Sequence, residues 1–185
     1  MNKRPSRRRL PGEPDTEAVL ARIVRVDHAG EFGATRIYAG QLAVLGDSKV
    51  GPVLRRMARQ EAAHLAAFED QLARRRVRPT ALQPLWNVAG YALGAGTALL
   101  GEKAAMACTV AVEQVIDAHY GQQLERLADE DEAALRQMIA QFRAEEAEHK
   151  ATGLAHGAET APHYPLLSAL IRAGTKTAIW LSERV

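Results

Sequence analysis

Two segments of the chain carry the same pattern, in which a glutamate is followed at matching offsets by tyrosine, glutamine and leucine, and farther on by a Glu-x-x-His motif. The first copy consists of Glu31, Tyr38, Gln41, Leu42, Glu61 and His64. The second copy consists of Glu113, Tyr120, Gln123, Leu124, Glu146 and His149. Residues three apart on an α-helix lie on one face, with their Cβ atoms about 5–6 Å apart. Each motif can therefore present a carboxylate oxygen and an imidazole nitrogen to one metal ion.

The repeated pattern supplies a complete binuclear ligand set. Two Glu-x-x-His helices and two helices with one glutamate each are the ligands of the ferritin-like di-iron and di-manganese bundles. The predicted ligands are Glu31, Glu61, His64, Glu113, Glu146 and His149. Carboxylate and imidazole ligands favour iron or manganese, and four glutamates balance the charge of two ferrous ions. We expect two iron ions, with manganese as the less favoured metal.

The predicted ligands occupy positions where core residues are expected. In the second helix the apolar stripe consists of Val50, Leu54, Met57, Glu61, His64, Phe68 and Leu72, and the other ligand helices show the same register. A buried carboxylate costs several kcal/mol unless it is paired. Chance placement of surface acids is the alternative, and this register argues against it.

The hydrophobic periodicity is helical and no strand pattern appears. The first helix is expected to start at Asp15 or Thr16 and to end at Gly46–Asp47, and Ser48 is expected to cap the second helix, with Pro52 in its first turn. The third helix is expected to run to about Asp129, the fourth from about Asp131 to Gly153, and a last helix through Trp180. The sequence thus predicts an all-α, ferritin-like four-helix bundle. It has a long crossover between helices two and three and an additional C-terminal helix.

Composition favours one domain, residues 14–185, preceded by a disordered basic tail at residues 1–13. The chain has 24 Lys and Arg against 22 Asp and Glu, a formal net charge of +2, which is too balanced to indicate nucleic-acid binding. Its single cysteine, Cys108, excludes an internal disulfide and fits a reducing compartment. The basic tail is expected to contact anionic lipid headgroups, with a transit-peptide remnant as the alternative.

Residues 79–101 contain no charged side chain. Glycines, Pro84 and polar residues in this stretch argue against a membrane-spanning helix. We predict a segment that lies on or dips into a membrane, with contacts from Leu85, Trp86, Tyr91 and Leu93. The alternative is a crossover covered by protein.

Four motifs together resemble the demethoxyubiquinone hydroxylases of ubiquinone biosynthesis. They are RVDHAGEFGATRIYAGQ at residues 25–41, Glu61-x-x-His64, Val112-Glu113-x-x-Ile116-x-x-His119-Tyr120 and Glu145-Glu146-x-x-His149. The resemblance runs from about Ala21 to the C-terminus. It implies a di-iron monooxygenase that uses O₂ to hydroxylate the ring of a polyprenyl methoxy-methyl-benzoquinol.

The resemblance also implies a setting and partners. The protein is expected at the cytoplasmic face of a bacterial cell membrane as a peripheral protein, with the matrix side of the mitochondrial inner membrane as the alternative. Its expected partners are the quinol substrate, O₂, membrane lipid, other ubiquinone-biosynthesis enzymes, a lipid-binding accessory protein and NADH as a candidate electron donor. His119 and Tyr120 match family positions suggested to relay electrons or protons, with ordinary packing roles as the alternative.

Spacing suggests further residues around the metals. Asp27 and Asp117 each lie four residues from a predicted ligand glutamate on the same helical face. We expect either carboxylate to hold the outer nitrogen of a ligand histidine, with plain surface acids as the alternative.

Two other functions stay open from the residues. One is another ferritin-like di-iron oxidase or peroxidase, although the sequence has no Cys-x-x-Cys motif of the rubrerythrin kind. The other is a non-enzymatic helical membrane adaptor in a quinone-biosynthesis complex.

Overall fold

The protein is described by a computed structural model that covers residues 15–128 and 131–185. Its helices are α1 (Thr16–Leu45), α2 (Gly51–Arg75), α3 (Gln83–Leu99), α4 (Glu102–Arg126), α5 (Ala133–Ala155) and α6 (Tyr164–Ser182), with a short 3₁₀ turn at Ala158–Thr160. No strand occurs within the described ranges. The predicted basic tail, residues 1–13, lies outside them.

Four of these helices form the predicted ferritin-like bundle. Helix α1 pairs with α2, and α4 pairs with α5. The long crossover is itself helical, because α3 lies between α2 and α4 in sequence and packs along α1. The additional C-terminal helix, α6, packs against α4. The all-α bundle with a long crossover and an extra helix is therefore confirmed.

Two apolar clusters form the part of the bundle core that flanks the predicted ligands. The first includes Val24 and Phe68, and the second includes Tyr38 and Met57. On both α1 and α2, the predicted ligands lie in sequence between a residue of one cluster and a residue of the other. Apolar packing on both sides thus holds the helices together around a polar middle layer.

The junction between α1 and α2 differs from the prediction. Ser48 does not cap α2, which begins at Gly51 with Pro52 in its first turn. Instead, the Ser48 hydroxyl donates a 2.8 Å hydrogen bond to the carbonyl oxygen of Leu45 and so closes the end of α1. A Cβ at Gly51 would overlap the carbonyl oxygen of Gly46, so this junction requires a residue without a side chain. The other predicted helix ends lie within a few residues of the observed ends, and Asp129 is outside the described residues.

Helix α3 lies against α1 at a separation that only glycine allows. A Cβ at Gly94 would overlap the carbonyl oxygen of Ile37, and a Cβ at Gly40 would overlap the carbonyl oxygen of Tyr91. Each helix thus contributes a glycine where the backbone of the other passes. The spacing of glycines in the uncharged segment therefore has a packing reason on the α1 side.

The opposite side of α3 and part of α6 expose large apolar side chains. They are Leu85, Val88, Tyr91, Leu99 and Leu100 on or next to α3, and Leu166, Leu170 and Trp180 on α6. Trp86 is half-buried and its indole nitrogen donates a 3.0 Å hydrogen bond to the Ser182 hydroxyl, which ties α3 to α6. Leu93 is also half-buried and packs beside Ile171 of α6. We call the exposed set the α3–α6 apolar face.

The glycine contact predicts the effect of adding one methyl group to α3. We expect Gly94→Ala to lower the free energy of unfolding by roughly 1–3 kcal/mol, because the new Cβ forces α3 away from the α1 backbone. The matched control is Gly96→Ala, where a Cβ meets nothing within 4 Å and the better helix propensity of alanine stabilises by up to about 1 kcal/mol. Urea unfolding of both variants checks this, and equal stability of the two would contradict the close approach.

Candidate metal centre

All six predicted ligands lie in the polar middle layer of the bundle. Helix α1 supplies Glu31 and α4 supplies Glu113, while α2 and α5 each supply a Glu-x-x-His pair. The side chains of all six residues are buried. The structure therefore brings together the complete set that the repeat predicted.

The donor atoms form two overlapping groups, and within each group they lie within 4.8 Å of one another. The His64 quartet consists of Glu31, Glu61, His64 and Glu146. The His149 quartet consists of Glu61, Glu113, Glu146 and His149. Glu61 and Glu146 belong to both quartets, which is the arrangement expected of carboxylates that bridge two ions.

Both histidines direct the same nitrogen toward the carboxylates. Nδ1 of His64 lies 2.9 Å from an Oε of Glu146 and 3.4 Å from an Oε of Glu31. Nδ1 of His149 lies 3.0 Å from oxygens of both Glu61 and Glu146. Each quartet thus gathers one imidazole nitrogen and carboxylate oxygens around a common centre.

The donors fit a pair of cations better than they satisfy one another. Oxygens of Glu31, Glu61 and Glu146, and Nδ1 of His64, have no partner in hydrogen-bonding geometry within the described residues, although Nδ1 of His64 lies only 2.9 Å from Glu146. Buried polar atoms left in this state are costly and uncommon. Oxygen and imidazole donors in quartets are the chemistry of first-row transition-metal sites, so the residues present fit two such ions.

The electrostatics of these groups also reflect crowded negative charge. Burial, and then the charges of neighbouring carboxylates, raise the pKa values of Glu61 and Glu113 well above the usual range. Burial also raises the pKa of Glu31. Burial opposes ionisation of His64, but the adjacent Glu146 and Glu31 carboxylates outweigh it and raise its pKa to about 11. Without metal, protons therefore supply the positive charge that the carboxylates require.

One carboxylate in the centre stays ionised. Burial raises the pKa of Glu146, but contacts with His149 and His64 outweigh that effect and lower the value to about 2. Glu146 is the only one of the four buried ligand glutamates placed between both histidine Nδ1 atoms at hydrogen-bonding distance. Glu146 is therefore the carboxylate that contacts the histidines of both quartets.

The outer nitrogens of the histidines have partners that the sequence did not reveal. Nε2 of His64 lies 2.6 Å from an Oε of Glu145, and Nε2 of His149 lies 3.2 Å from Oε1 of Gln60. Each partner directly precedes the glutamate of the opposite Glu-x-x-His motif. This position in the sequence was the available signal, but it identifies these partners only when the relative orientation of α2 and α5 is known.

The expected roles of Asp27 and Asp117 are corrected. Asp27 is buried and accepts a 2.6 Å hydrogen bond from the Gln123 amide. Asp117 is partly exposed and accepts a 2.7 Å hydrogen bond from Nε of Arg143. Neither contacts a ligand histidine. Their carboxylates face Gln123 and Arg143 instead, and the outer nitrogens of the two histidines are already occupied by the partners described above.

The two candidate relay residues lie on one side of the centre. The Tyr120 hydroxyl donates a hydrogen bond to Oε1 of Glu31. Nε2 of His119 lies 2.8 Å from the Gln123 amide nitrogen and 3.6 Å from the Asp27 carboxylate. Tyr120 thus contacts a predicted ligand directly, whereas the partly exposed imidazole of His119 contacts Gln123 and Asp27.

Comparison with known proteins agrees with this architecture. A sequence model of the family described as "Ubiquinone biosynthesis protein COQ7" matches residues 18–182. The chain belongs to this family. Its buried Glu and His residues are consistent with metal binding by a COQ7 family member, and the resemblance found in the sequence is confirmed.

Individual members of the family are similar to this chain over most of its length. A protein of Rhodospirillum rubrum named "3-demethoxyubiquinol 3-hydroxylase" is 60% identical over 179 residues, which are 96% of this chain and 84% of the relative. The human protein named "NADPH-dependent 3-demethoxyubiquinone 3-hydroxylase, mitochondrial" is 56% identical over 92% of this chain and 80% of its own length. The "5-demethoxyubiquinone hydroxylase, mitochondrial" of Saccharomyces cerevisiae is 42% identical over 91% of this chain and 79% of its own length.

The raised pKa values predict how pH affects the metal-free protein. Folded Glu61 and Glu113 keep protons that the unfolded chain releases near pH 4.5, and folded His64 keeps its proton up to pH about 11. The free energy of unfolding should therefore fall as pH rises from 5 to 9. Glu146 works in the opposite direction, but only below about pH 4.5.

Replacing one ligand should weaken this dependence. We expect Glu113→Gln to stabilise the metal-free protein at pH 8 by on the order of 1–3 kcal/mol, because it removes a buried group that resists ionisation. Urea unfolding in the presence of a chelator measures the effect. Glu125→Gln, an exposed acid on the same helix, is the control and should change nothing. Metal-free stability that increases with pH would contradict the assignment.

Proposed function

We propose that this protein hydroxylates the ring of demethoxyubiquinol with O₂ at a pair of iron ions. One observation carries the proposal: two buried donor quartets share Glu61 and Glu146, so the four helices offer a bridged binuclear site. The names of the relatives, three of which are named as hydroxylases of demethoxyubiquinol or demethoxyubiquinone, support this substrate.

The proposed reaction replaces one ring C–H bond with a C–OH bond. One atom of O₂ enters the ring, and the other leaves as water after it receives two electrons and two protons. A ferrous pair, when bound, supplies the redox chemistry that activates O₂ at such sites. The proposed electron donor is a reduced nicotinamide, because the human relative is named "NADPH-dependent".

The protein's own contribution is a closed, charge-balanced environment. The apolar clusters on both sides of the ligands keep bulk water away from the reacting centre. The Tyr120 hydroxyl fixes one oxygen of Glu31 and leaves the other for a metal ion. His119 and Tyr120 form the proposed route by which protons or electrons reach the Glu31 side.

We propose that the substrate approaches the centre from the Glu113 side. A small cavity of about 10 Å³ lies beside Glu113 and is lined by Ile37, Tyr38, Ala34, Thr109 and Val112. Ile37 and Val112 also belong to the apolar cluster that contains Leu93 of α3 and Ile171 of α6. We infer that the benzoquinol ring enters beneath α3 and α6 and stops near Glu113, while its prenyl tail stays outside.

The α3–α6 apolar face is the proposed membrane contact. Leu99 and Leu100 are two-thirds or more exposed, and Leu166, Leu170 and Trp180 expose more than half of their surface. Within residues 15–128 and 131–185, no helix is both long and apolar enough to cross a membrane. Contact through this face therefore describes a peripheral protein whose substrate is drawn directly from lipid.

The relatives leave two settings for such a protein. Those from human and yeast are named as mitochondrial, and one relative is bacterial. We propose the cytoplasmic face of a bacterial membrane, with the matrix side of the mitochondrial inner membrane as the alternative. A lipid-binding accessory protein and other ubiquinone-biosynthesis enzymes are the proposed protein partners.

Iron content and turnover test the function together. We expect about two irons per chain after anaerobic loading, and ¹⁸O from ¹⁸O₂ in the hydroxylated quinol. Glu146→Ala should lose both, because both quartets lose a donor. Glu148→Ala, an exposed acid on the same helix, should keep both. Full iron content with no labelled product would favour another di-iron oxidase, and iron that survives Glu146→Ala would favour the adaptor.

Vesicle binding tests the membrane face. Leu99→Glu should weaken binding to phospholipid vesicles by roughly tenfold or more, since burial of one leucine is worth about 1.5–3 kcal/mol. The control is Leu154→Glu, an exposed leucine on α5, which should bind as the unaltered protein does. Co-sedimentation measures both, and equal binding of the two variants would place the membrane contact elsewhere.

A further inference from the structure

The two histidines of the centre differ in one respect that the ligand set does not explain. The outer nitrogen of His64 faces a carboxylate, Glu145, whereas the outer nitrogen of His149 faces a neutral amide, Gln60. The distances differ in the same sense, 2.6 Å for the carboxylate and 3.2 Å for the amide. The two halves are thus alike in their ligands and unlike in what supports the ligands.

The carboxylate is itself held in place. The Gln141 amide donates a 2.8 Å hydrogen bond to the second oxygen of Glu145, one turn earlier on α5. Glu145 therefore accepts from Gln141 with one oxygen and from His64 with the other. Because it is three-quarters buried, water screens its charge only in part. Within residues 15–128 and 131–185, the Gln60 side chain makes no second hydrogen bond, and its amide oxygen meets His149 at the longer distance.

We propose that Glu145 and Gln60 make the two metal positions unequal, so that the His64 quartet binds its ion more tightly and fills first. The inference rests on the metal centre of the proposed function. A carboxylate that accepts the outer N–H of a ligand imidazole fixes the ring and raises its basicity toward the metal. It also adds a negative charge beside that ion, which an amide does not.

One contact acts against this order. The Tyr120 hydroxyl donates to Glu31 and draws charge from a ligand of the His64 quartet, whereas its counterpart Tyr38 contacts the Met57 sulfur and not Glu113. A neutral hydroxyl donor offsets less than a full carboxylate charge contributes. The contact also stays unchanged when Glu145 or Gln60 is replaced, so variants of these two residues isolate their effect. Glu145 and Gln60 are positioning residues, since they act through the histidines.

The test is metal binding rather than turnover. Apoprotein is titrated with Mn²⁺, which binds oxygen and imidazole donors without redox chemistry, and stepwise dissociation constants are measured by calorimetry. The unaltered protein should bind two ions in separate steps. Glu145→Gln, which keeps a hydrogen-bond acceptor, should weaken the first step by about 10–100-fold. Glu148→Gln removes an exposed charge from the same helix and should leave both steps unchanged.

The reciprocal change, from an amide to a carboxylate beside His149, is expected to increase metal affinity, and simple loss of structure cannot produce such an increase. Gln60→Glu should tighten the second step, and the double variant Gln60→Glu with Glu145→Gln should reverse the order of filling. Crystals with one equivalent of Mn²⁺ show the order directly, because anomalous scattering reports which quartet is occupied. We expect density at the His64 quartet in the unaltered protein and at the His149 quartet in the double variant.

Opposite results overturn the inference in distinguishable ways. Two tight steps that Glu145→Gln leaves unchanged, or equal occupancy at one equivalent, would show that the outer partners do not set the order. Absence of Mn²⁺ and Fe²⁺ binding in the unaltered protein would remove the metal centre itself, and the inference with it. Circular dichroism of each variant confirms that helix content is retained.

Discussion

The structure depends on the placement of four glutamates inside an apolar helical bundle. Their carboxylates repel one another and resist burial, which appears in the raised pKa values of Glu31, Glu61 and Glu113. Apolar clusters on both sides of this layer compensate for the cost and hold the helices in register. A site of this kind is incomplete on its own, since its charge is balanced only by protons or by cations. The unfavourable electrostatic free energy of these buried carboxylates destabilises the metal-free fold, and for the same reason it favours the binding of metal cations.

The internal repeat is exact at the ligands and inexact around them. Tyr120 donates to Glu31, whereas its counterpart Tyr38 contacts the sulfur of Met57. Gln123 joins a polar group with Asp27, whereas its counterpart Gln41 donates to the backbone of α4. The two copies of the repeat therefore supply matching ligands, but the residues around the ligands make different contacts in the two halves. Such surroundings allow one half to face the proposed relay residues and the other to face the proposed substrate route.

Much of this arrangement was predictable because its rules are local. Helix type, the facing of Glu61 and His64, and the burial of the acids follow from a spacing of three or four residues along one helix. The contacts of Glu145 and Gln60 were missed, because they form between helices whose relative rotation no local pattern specifies. The same limitation explains why Asp27 and Asp117 were misassigned. Both have the same spacing from a ligand glutamate, but the neighbouring helices bring Gln123 and Arg143 to their carboxylates. Ser48 likewise closes α1 rather than opening α2, because a short junction serves both ends.

The composition of α3 reflects two demands on opposite sides of one helix. Toward α1, Gly94 lets the backbones touch, and on the far side Leu85, Val88 and Leu99 are exposed. A charged residue would fit neither against α1 nor at the proposed membrane contact, which agrees with the absence of charge from residue 79 to residue 101. Two residues that line the cavity at Glu113, Ile37 and Val112, pack in the same apolar cluster as Leu93 of α3. On the proposed route a hydrophobic ring reaches the centre while its tail remains in apolar surroundings, so the enzyme need not extract the whole substrate into water.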